Sequence, residues 1–152
     1  MKYWLMKSEP DVYSIDDLAH DGKTMWDGVR NYQARNFMRD QMQTGDLVFF
    51  YHSNAEPSGI AGIAKVAGKS YPDPTAFDKK DVHFDPKSKT EAPTWYLVDV
   101  AFVQKWKQVL ALEEIKKIKG LEEMLLLQKG SRLSVQPVLE KHWEILTRGG
   151  RL

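Results

Sequence analysis

The chain has 152 residues, a length that suits one domain, and its 42% hydrophobic and 28% charged residues are ordinary for a globular protein. It has no cysteine, which excludes disulfides and thiolate metal sites. Its net charge of +1 argues against a protein that wraps nucleic acid with a broadly basic surface. Any nucleic-acid binding should therefore use a local patch and a pocket, and an aromatic content of 11% is a weak indication of stacking.

The first predicted elements are a strand and a short helix. "KYWLMK" (residues 2–7) is aromatic-rich, which is typical of a strand. Its apolar run is too short for a signal peptide and no segment approaches a membrane span, so we expect a cytoplasmic protein with no membrane partner. In "SIDDLAHDG" (residues 14–22), Ser14 is the expected N-cap, Asp17 completes a capping box and Gly22 stops the helix.

The next elements are a helix and a pair of strands. "NYQARNFMRDQMQTGD" predicts a helix capped by Asn31 and ended by Gly45. "DLVFFYHS" and "GIAGIAKVAG" predict two strands, and the turn residues "NAEPSG" between them predict a hairpin with a longer loop. Within the second strand, Gly59 and Gly62 suggest a bulge or a close approach of backbones.

The middle of the chain is irregular and is followed by the strongest strand pattern. "YPDPTAF" (residues 71–77) breaks regular structure because two prolines flank one aspartate, and residues 78–93 predict a solvent-facing loop with a short edge strand. "TWYLVDVAFVQKWKQV" (residues 94–109) then predicts a long strand with Val98 and Val100 on one face.

Helices are predicted for the rest of the chain. Residues 111–120 and 121–130 each indicate a short amphipathic helix. "LSVQPVLEKHWEILTRGG" predicts a helix with Ser134 as N-cap, Pro137 in its first turn and an end at Gly149. No period of about 20–50 residues repeats, which excludes solenoids and propellers. Together these elements predict an α+β protein, one domain over residues 1–152, built as a small mixed β-barrel of about five or six strands with short helices at its ends.

Motifs for metal, phosphate and nucleophilic chemistry are missing from the sequence. The glycines of residues 59–68 match neither GxGxxG nor GxxxxGK[ST]. The serines beside a histidine in "HSN" and beside a lysine in "KSEP" are not dyads, because adjacent strand residues point to opposite faces. We therefore expect no catalytic residue, cofactor or metal, and none of the histidines has a metal-binding spacing: His20, His52, His83 and His142.

The stretch "MWDGVRNYQARNFM" (residues 25–38) is the best remaining candidate for function. A site for an unstacked base needs aromatic faces together with groups that pair with the base edge. Trp26 and Tyr32 would stack; the base edge would meet Asn31, Ser53 and Asn54; phosphate would meet Lys7, Arg30 and Arg35. The residues alone favour the other interpretation, in which the aromatic side chains are core and the arginines lie on a solvated helix face.

Several long blocks, in order along the whole chain, resemble the EVE domain family. They are "WLMKSEP", "WDGVRNYQARNFM", "GDLVFFYHSN", "GIAGIAKV", "YPDPTAFD" and "LSVQPV". This family includes the thymocyte nuclear protein group, and its PUA-like fold is related to YTH and ASCH domains. The resemblance implies a module that is not an enzyme and that holds a modified base of nucleic acid, such as methylated or oxidised cytosine, in an aromatic-walled pocket.

The resemblance also implies roles for residues in the matching blocks. Trp26 would form the pocket wall, Lys7 and Ser8 the pocket mouth. Arg30, Asn31 and Tyr32 would face the ligand. The base edge would meet a set of residues at and after one strand end: Tyr51, Ser53, Asn54, Ser58 and Gly59. A second pocket aromatic would come from Tyr71 or Phe77. On this interpretation Trp26→Ala should abolish binding with little loss of fold.

Two other functions remain open from the sequence. One is a small hydrolase acting on modified nucleosides, as in ASCH relatives, with Lys7 and Glu9 on one side of the first strand and Lys7 activated by burial. The other is a protein-interaction module that uses the helices near Ile115 and Leu125. We expect a monomer, and the sequence does not choose between DNA and RNA.

Overall fold

The computed structural model describes residues 1–130 and 132–148. Its strands are β1 (Tyr3–Ser8), β2 (Lys23–Met25), β3 (Leu47–His52), β4 (Gly59–Val66), β5 (Tyr71–Pro72), β6 (Tyr96–Leu97), β7 (Asp99–Ala111) and β8 (Val135–Val138). Its α-helices are α1 (Ile15–Asp21), α2 (Tyr32–Asn36), α3 (Leu112–Ile115) and α4 (Glu140–Thr147).

Six of the strands form one mixed sheet in the order β2-β7-β4-β3-β1-β8, and β5 pairs with β6 separately. β1 and β3 run parallel, and the other pairs of the large sheet are antiparallel. The sheet curves into a half-barrel with short helices around it, which confirms the predicted α+β fold class.

Both faces of the central strands are buried, so two hydrophobic clusters flank one sheet. Because side chains alternate along a strand, Trp4 and Phe50 enter the cluster beneath α1 and α2, whereas Leu5 and Phe49 enter the cluster beneath α3 and α4. We call these the first and second clusters. Tyr51 belongs to the second cluster.

The two glycines of β4 allow neighbouring backbones to approach closely. A Cβ atom at Gly59 would lie 2.1 Å from the Leu110 carbonyl oxygen, and one at Gly62 would lie 2.3 Å from the carbonyl oxygen of Gln104. The β4–β7 register also shifts between Ile60 and Gly62. Both sequence expectations, a bulge and a close approach, are therefore confirmed.

The predicted N-caps at Ser14 and Asn31 form as expected. Ser14 Oγ accepts a hydrogen bond from Asp17 N, the Asp17 carboxylate accepts one from Ser14 N, and Gly22 ends α1 with a φ of 79°. Asn31 Oδ1 accepts from Ala34 N and begins α2. The expected end of this helix at Gly45 is wrong.

The helical segment after α2 ends early because the chain turns back onto the sheet. It continues as a π-helix over Phe37–Gln41 and ends when Met42 becomes extended. The buried Asp46 carboxylate accepts hydrogen bonds from Gln43 N and from Trp4 Nε1, which fixes the turn before β3.

The predicted helices at the C-terminal side are corrected. Residues 111–120 form only α3, and residues 121–130 contain a 3₁₀ turn over Leu125–Leu127. Residues 135–138 are strand β8, so Ser134 is not an N-cap and the predicted helix is shortened to α4, which follows Leu139. β8 is an edge strand, where Pro137 is tolerated because its missing N–H faces away from the ladder. The predicted helix end at Gly149 lies outside the described residues. Within those residues, no helix is long and apolar enough to cross a membrane.

The irregular region also differs in detail from its prediction. Residues 71–77 contain β5 and a 3₁₀ helix over Pro74–Phe77, because Asp73 caps that helix by accepting from Thr75 N. In the predicted loop over residues 78–93, the expected edge strand is only an isolated bridge between Lys89 and Ala92.

His52 attaches α1 to the sheet. Its Nε2 accepts a hydrogen bond from Ile15 N, a first-turn donor of α1, at 3.1 Å. Burial lowers the pKa of His52 below its ordinary value of 6.5; nearby Asp16 opposes this shift and Lys105 adds to it. The folded protein therefore favours the neutral imidazole.

Acidification should destabilise the protein through His52. The unfolded chain takes up a proton below about pH 6.5, whereas the folded chain resists it, so stability is full above that pH and declines as the pH falls below it. We expect chemical denaturation of His52→Gln, which keeps an acceptor without titrating, to show a shallower loss over this range. An equal slope in both proteins would contradict the assignment.

Candidate functional site

A cleft of about 690 Å³ opens beside the C-terminal end of β1, on the side of the first cluster. Its volume falls in the usual range of small-molecule sites, about 300–1,000 Å³. Three segments meet around it, namely the end of β1 with the turn after it, β2 with the turn after it, and a loop over residues 80–83. The lining residues are Lys7, Ser8, Val12, Tyr13, Thr24, Met25, Trp26, Asp27, Gly28, Val29, Lys80, Asp81, Val82 and His83.

Trp26 joins the cleft to the core. It is 8% exposed and belongs to the first cluster, where its ring meets Phe50 edge-to-face with centroids 5.4 Å apart. Its backbone N–H donates to the carbonyl of Val98. The side chain is therefore a fixed surface of the cleft and a core residue at once.

Gly28 lets the loop over residues 80–83 lie close to the turn after β2. Its φ is 80°, in the left-handed region, and a Cβ atom there would lie 2.6 Å from the His83 imidazole. Gly28 N donates to Asp73 Oδ2 at 2.8 Å. A side chain at position 28 would therefore push His83 away from the cleft wall.

Asp73 is a fully buried carboxylate that organises the wall behind the cleft. It accepts hydrogen bonds from Gly28 N, Arg30 Nη1, Thr75 N and Thr75 Oγ1 at 2.6 to 3.1 Å. Burial alone would raise its pKa, but the hydrogen bonds from Thr75, Gly28 and Arg30 outweigh burial and hold the pKa below 3.8.

Arg30 uses its nitrogens to hold this wall together. Nε and Nη2 donate to the His83 carbonyl, Nη1 to the Val29 carbonyl and to Asp73, and Nη2 also to Thr75 Oγ1. These contacts match the five N–H groups of a guanidinium. Arg30 therefore fixes the loop that carries His83.

Lys7, Asp27 and Tyr13 in the cleft have shifted pKa values. Burial lowers the pKa of Lys7, whose ammonium lies 5.7 Å from the centre of the Tyr51 ring. Burial and the negative charge of the nearby Asp73 carboxylate raise the pKa of Asp27. Burial and the hydrogen bond to Asp21 raise the pKa of Tyr13 to about 12.

Two residues considered for catalysis are held by other partners. Ser8 Oγ donates to the Tyr13 carbonyl at 2.7 Å, so this hydroxyl is not aimed at a base. Glu9, the expected partner of Lys7, accepts a hydrogen bond from Asn54 Nδ2 instead. In the described ranges, no group of acidic and histidine side chains is placed to hold a metal ion.

Of the residues predicted for the site, the structure brings Lys7, Ser8 and Trp26 into the cleft. Asn54 and Ser58 instead border a separate shallow depression with Pro10, Asp11, Ala55 and Glu56. Ser53 N donates to the Ser8 carbonyl beside the cleft, and Gly59 is buried against β7.

The remaining predicted residues lie outside the cleft. Tyr32 is 62% exposed and stacks on Trp95 with centroids 5.0 Å apart, and Asn31 caps α2. Arg35 donates to the Thr94 carbonyl and to Asn36. Three aromatic residues do not line the cleft: Tyr51, which faces the second cluster; Tyr71, which donates to Asp99; and Phe77, half-buried at the end of its 3₁₀ helix.

Several cleft residues were not singled out by the sequence. Asp27, Val82 and His83 are the main ones. Asp27 follows Trp26 within the candidate stretch of residues 25–38, but nothing in its sequence context gave it a role. Nothing periodic or motif-like marks residues 80–83, because their place depends on contacts with Arg30 and Gly28 about fifty positions away.

Comparisons with known proteins agree with this architecture. A family model described as the EVE domain matches residues 2–148. Thymocyte nuclear protein 1 of Danio rerio is 47% identical over 162 residues, which cover 94% of this chain and 69% of that protein.

Solved structures extend the comparison to the fold. A protein from Pseudomonas syringae, known from its crystal structure, is 53% identical in sequence to this chain. The two structures align with a TM-score of 0.92 over 95% of this chain and 96% of that chain. The human THYN1 protein, crystallised in complex with 5-methylcytosine-containing DNA, is 42% identical with a TM-score of 0.89, covering 96% and 95%. An ASCH protein from Zymomonas mobilis, 8% identical with a TM-score of 0.56 over 96% of both chains, shares the fold alone, in agreement with the PUA-like expectation.

Proposed function

The chain belongs to the EVE domain family, and from that premise we propose that it binds nucleic acid carrying a modified base, with 5-methylcytosine in DNA as the leading ligand. The main support is the 42% identical human THYN1 protein, whose crystal structure is a complex with 5-methylcytosine-containing DNA. The chain's own support is the cleft with Trp26 as a fixed aromatic surface.

The cleft offers chemistry that suits a methylated cytosine. The base would lie against the accessible part of Trp26, and its methyl group would contact the apolar rim formed by Val12 and Met25. Asp27 would accept from the exocyclic amino group of cytosine, a pairing that carboxylates make.

Contacts to phosphate need cations that are not already engaged. Arg30 is committed to Asp73, Thr75 and the His83 carbonyl, so we propose that it supports the cleft rather than contacting phosphate. Arg35 is likewise engaged, with the Thr94 carbonyl and Asn36. Lys7 at the cleft mouth and Lys80 on the loop over residues 80–83 are better placed to contact phosphate. The near-neutral net charge fits a few local contacts of this kind.

A fluorescence titration tests the proposal. Trp26 lies in the cleft, so a base that enters should quench tryptophan emission. We expect quenching by a short DNA carrying 5-methylcytosine and at least about tenfold weaker binding of the unmodified sequence, because a fitted methyl group is worth roughly 1–3 kcal/mol. Matched RNA and oxidised cytosines complete the panel. A flat response from folded protein across the panel would contradict the proposal.

The alternative of a nucleoside hydrolase is less well supported. Lys7 forms no ion pair among the described residues, and the Glu9 carboxylate accepts a hydrogen bond from Asn54 instead. Likeness to the ASCH protein is one of fold. We also propose that residues 1–152 act as a single domain, since both clusters pack on the same sheet, and as a monomer.

A further inference from the structure

The cleft loop of residues 80–83, taken with its flanking residues as 78–85, presents one apolar side chain to solvent at the rim of the cleft. Val82 borders the cleft and is 93% exposed. A single exposed valine is ordinary on a protein surface. This one is distinguished by its place beside the cleft that would hold a base and by the rigidity of the loop that carries it.

The loop is held by hydrogen bonds on both sides of Val82. Asp78 Oδ1 accepts from Lys80 N, and Asp81 Oδ1 accepts from His83 N at 2.8 Å. Arg30 Nη2 donates to the His83 carbonyl at 2.7 Å. Because the backbone is fixed on either side, the position of Val82 is set before any ligand binds.

Cations lie next to Val82. Lys79 and Lys80 are exposed, and neither forms an ion pair with a carboxylate in the part of the chain that the structure describes. The carboxylates of the loop are engaged within it: Asp78 accepts from Lys80 N, and Asp81 accepts from His83 N and lies 3.1 Å from His83 Nδ1. The loop therefore offers an apolar tip flanked by ammonium groups that are free to meet phosphate.

We propose that Val82 is a wedge that enters duplex DNA and fills the space left by the base extruded into the cleft. The inference rests on the proposed function and deepens it, because it makes the ligand a duplex rather than a single strand. Extrusion of a base costs unstacking and unpairing, and proteins offset this cost by inserting apolar side chains between base steps. Lys79 and Lys80 would contact the backbone beside the inserted tip.

The test compares Val82→Ser with wild type on two ligands, a short duplex with a central 5-methylcytosine and its single strand, by fluorescence anisotropy. Leu139→Ser is the matched control: Leu139 is a 56% exposed apolar residue near the far end of β1. We expect Val82→Ser to bind the duplex about tenfold more weakly and the single strand within about twofold of wild type. A mismatch opposite the modified base should reduce the duplex deficit, because a mispaired base is easier to extrude.

The results distinguish failure of the wedge proposal from failure of the proposed function. If Val82→Ser binds the duplex as wild type does, or loses equal affinity for both ligands, Val82 is not a wedge although the protein binds modified DNA. If wild type binds neither ligand, the proposed function fails and the wedge falls with it. Unchanged thermal unfolding of both variants would show that neither effect comes from loss of fold.

Discussion

Arg30→Ala should lower the free energy of unfolding by about 3 kcal/mol and remove binding in the cleft. The substitution leaves the buried Asp73 carboxylate without its cation and releases the His83 carbonyl, and breaking a buried ion pair by deleting one partner typically costs that much. The loop that carries His83 would then no longer define the cleft wall. Chemical denaturation and the fluorescence titration measure the two effects.

Two variants separate this structural role from contact with phosphate. Arg30→Lys keeps the positive charge but not the five-donor geometry, so we expect it to lose most of the stability that Arg30→Ala loses. Adding Asp73→Asn to Arg30→Ala should recover part of the loss, because no buried charge then lacks a partner. Wild-type stability of Arg30→Ala, with binding weakened at low salt only, would instead make Arg30 a phosphate contact.

Trp26→Ala should be strongly destabilising, by about 4 kcal/mol, because a large buried side chain is removed from the first cluster. The expectation from the sequence, loss of binding with little loss of fold, therefore needs a different variant. Trp26→Phe and Trp26→Leu both keep an apolar side chain in the cluster and should remain folded. Only Trp26→Phe keeps an aromatic face.

The comparison of these two variants isolates stacking. Stacking of a base on an aromatic side chain is worth about 1–3 kcal/mol, so we expect Trp26→Leu to bind the modified DNA about tenfold or more weakly than Trp26→Phe. Circular dichroism and the unfolding transition of each variant provide the check on folding. Equal affinities would assign Trp26 to the core alone.

Features set by near neighbours were predictable from the sequence. The caps at Ser14 and Asn31 and the close approach at Gly59 follow from side-chain chemistry within a few residues or from the lack of a side chain. Strand β8 was not predictable, because a proline with apolar neighbours suits both the first turn of a helix and an edge strand. Pairing with β1 makes this segment a strand, and that contact joins residues 3–6 to residues 135–138, which are far apart in the sequence.

The candidate site also contains residues that the sequence indicated and residues that it did not. Trp26 and Lys7 were singled out, since one stands in an unusual aromatic stretch and the other ends a recognisable strand. Tyr51 was predicted at the base edge but faces the second cluster, because the sequence does not say which face of β3 is turned toward the cleft. His83 and Val82 were missed, because the loop takes its shape from a guanidinium in a distant segment.

The position of β1 in the sheet has a consequence for the order of folding. β1 is synthesised before both of its partners, because it bonds to β3 on one edge and to the much later β8 on the other. A growing chain thus carries an aromatic-rich strand with an open edge until residues 135–138 leave the ribosome. The adjacent β3 and β4 form a local hairpin and are expected to nucleate first, because short loops close at lower entropic cost than long ones. Nascent chains that stop before β8 should therefore be bound by chaperones, and release should coincide with the appearance of β8.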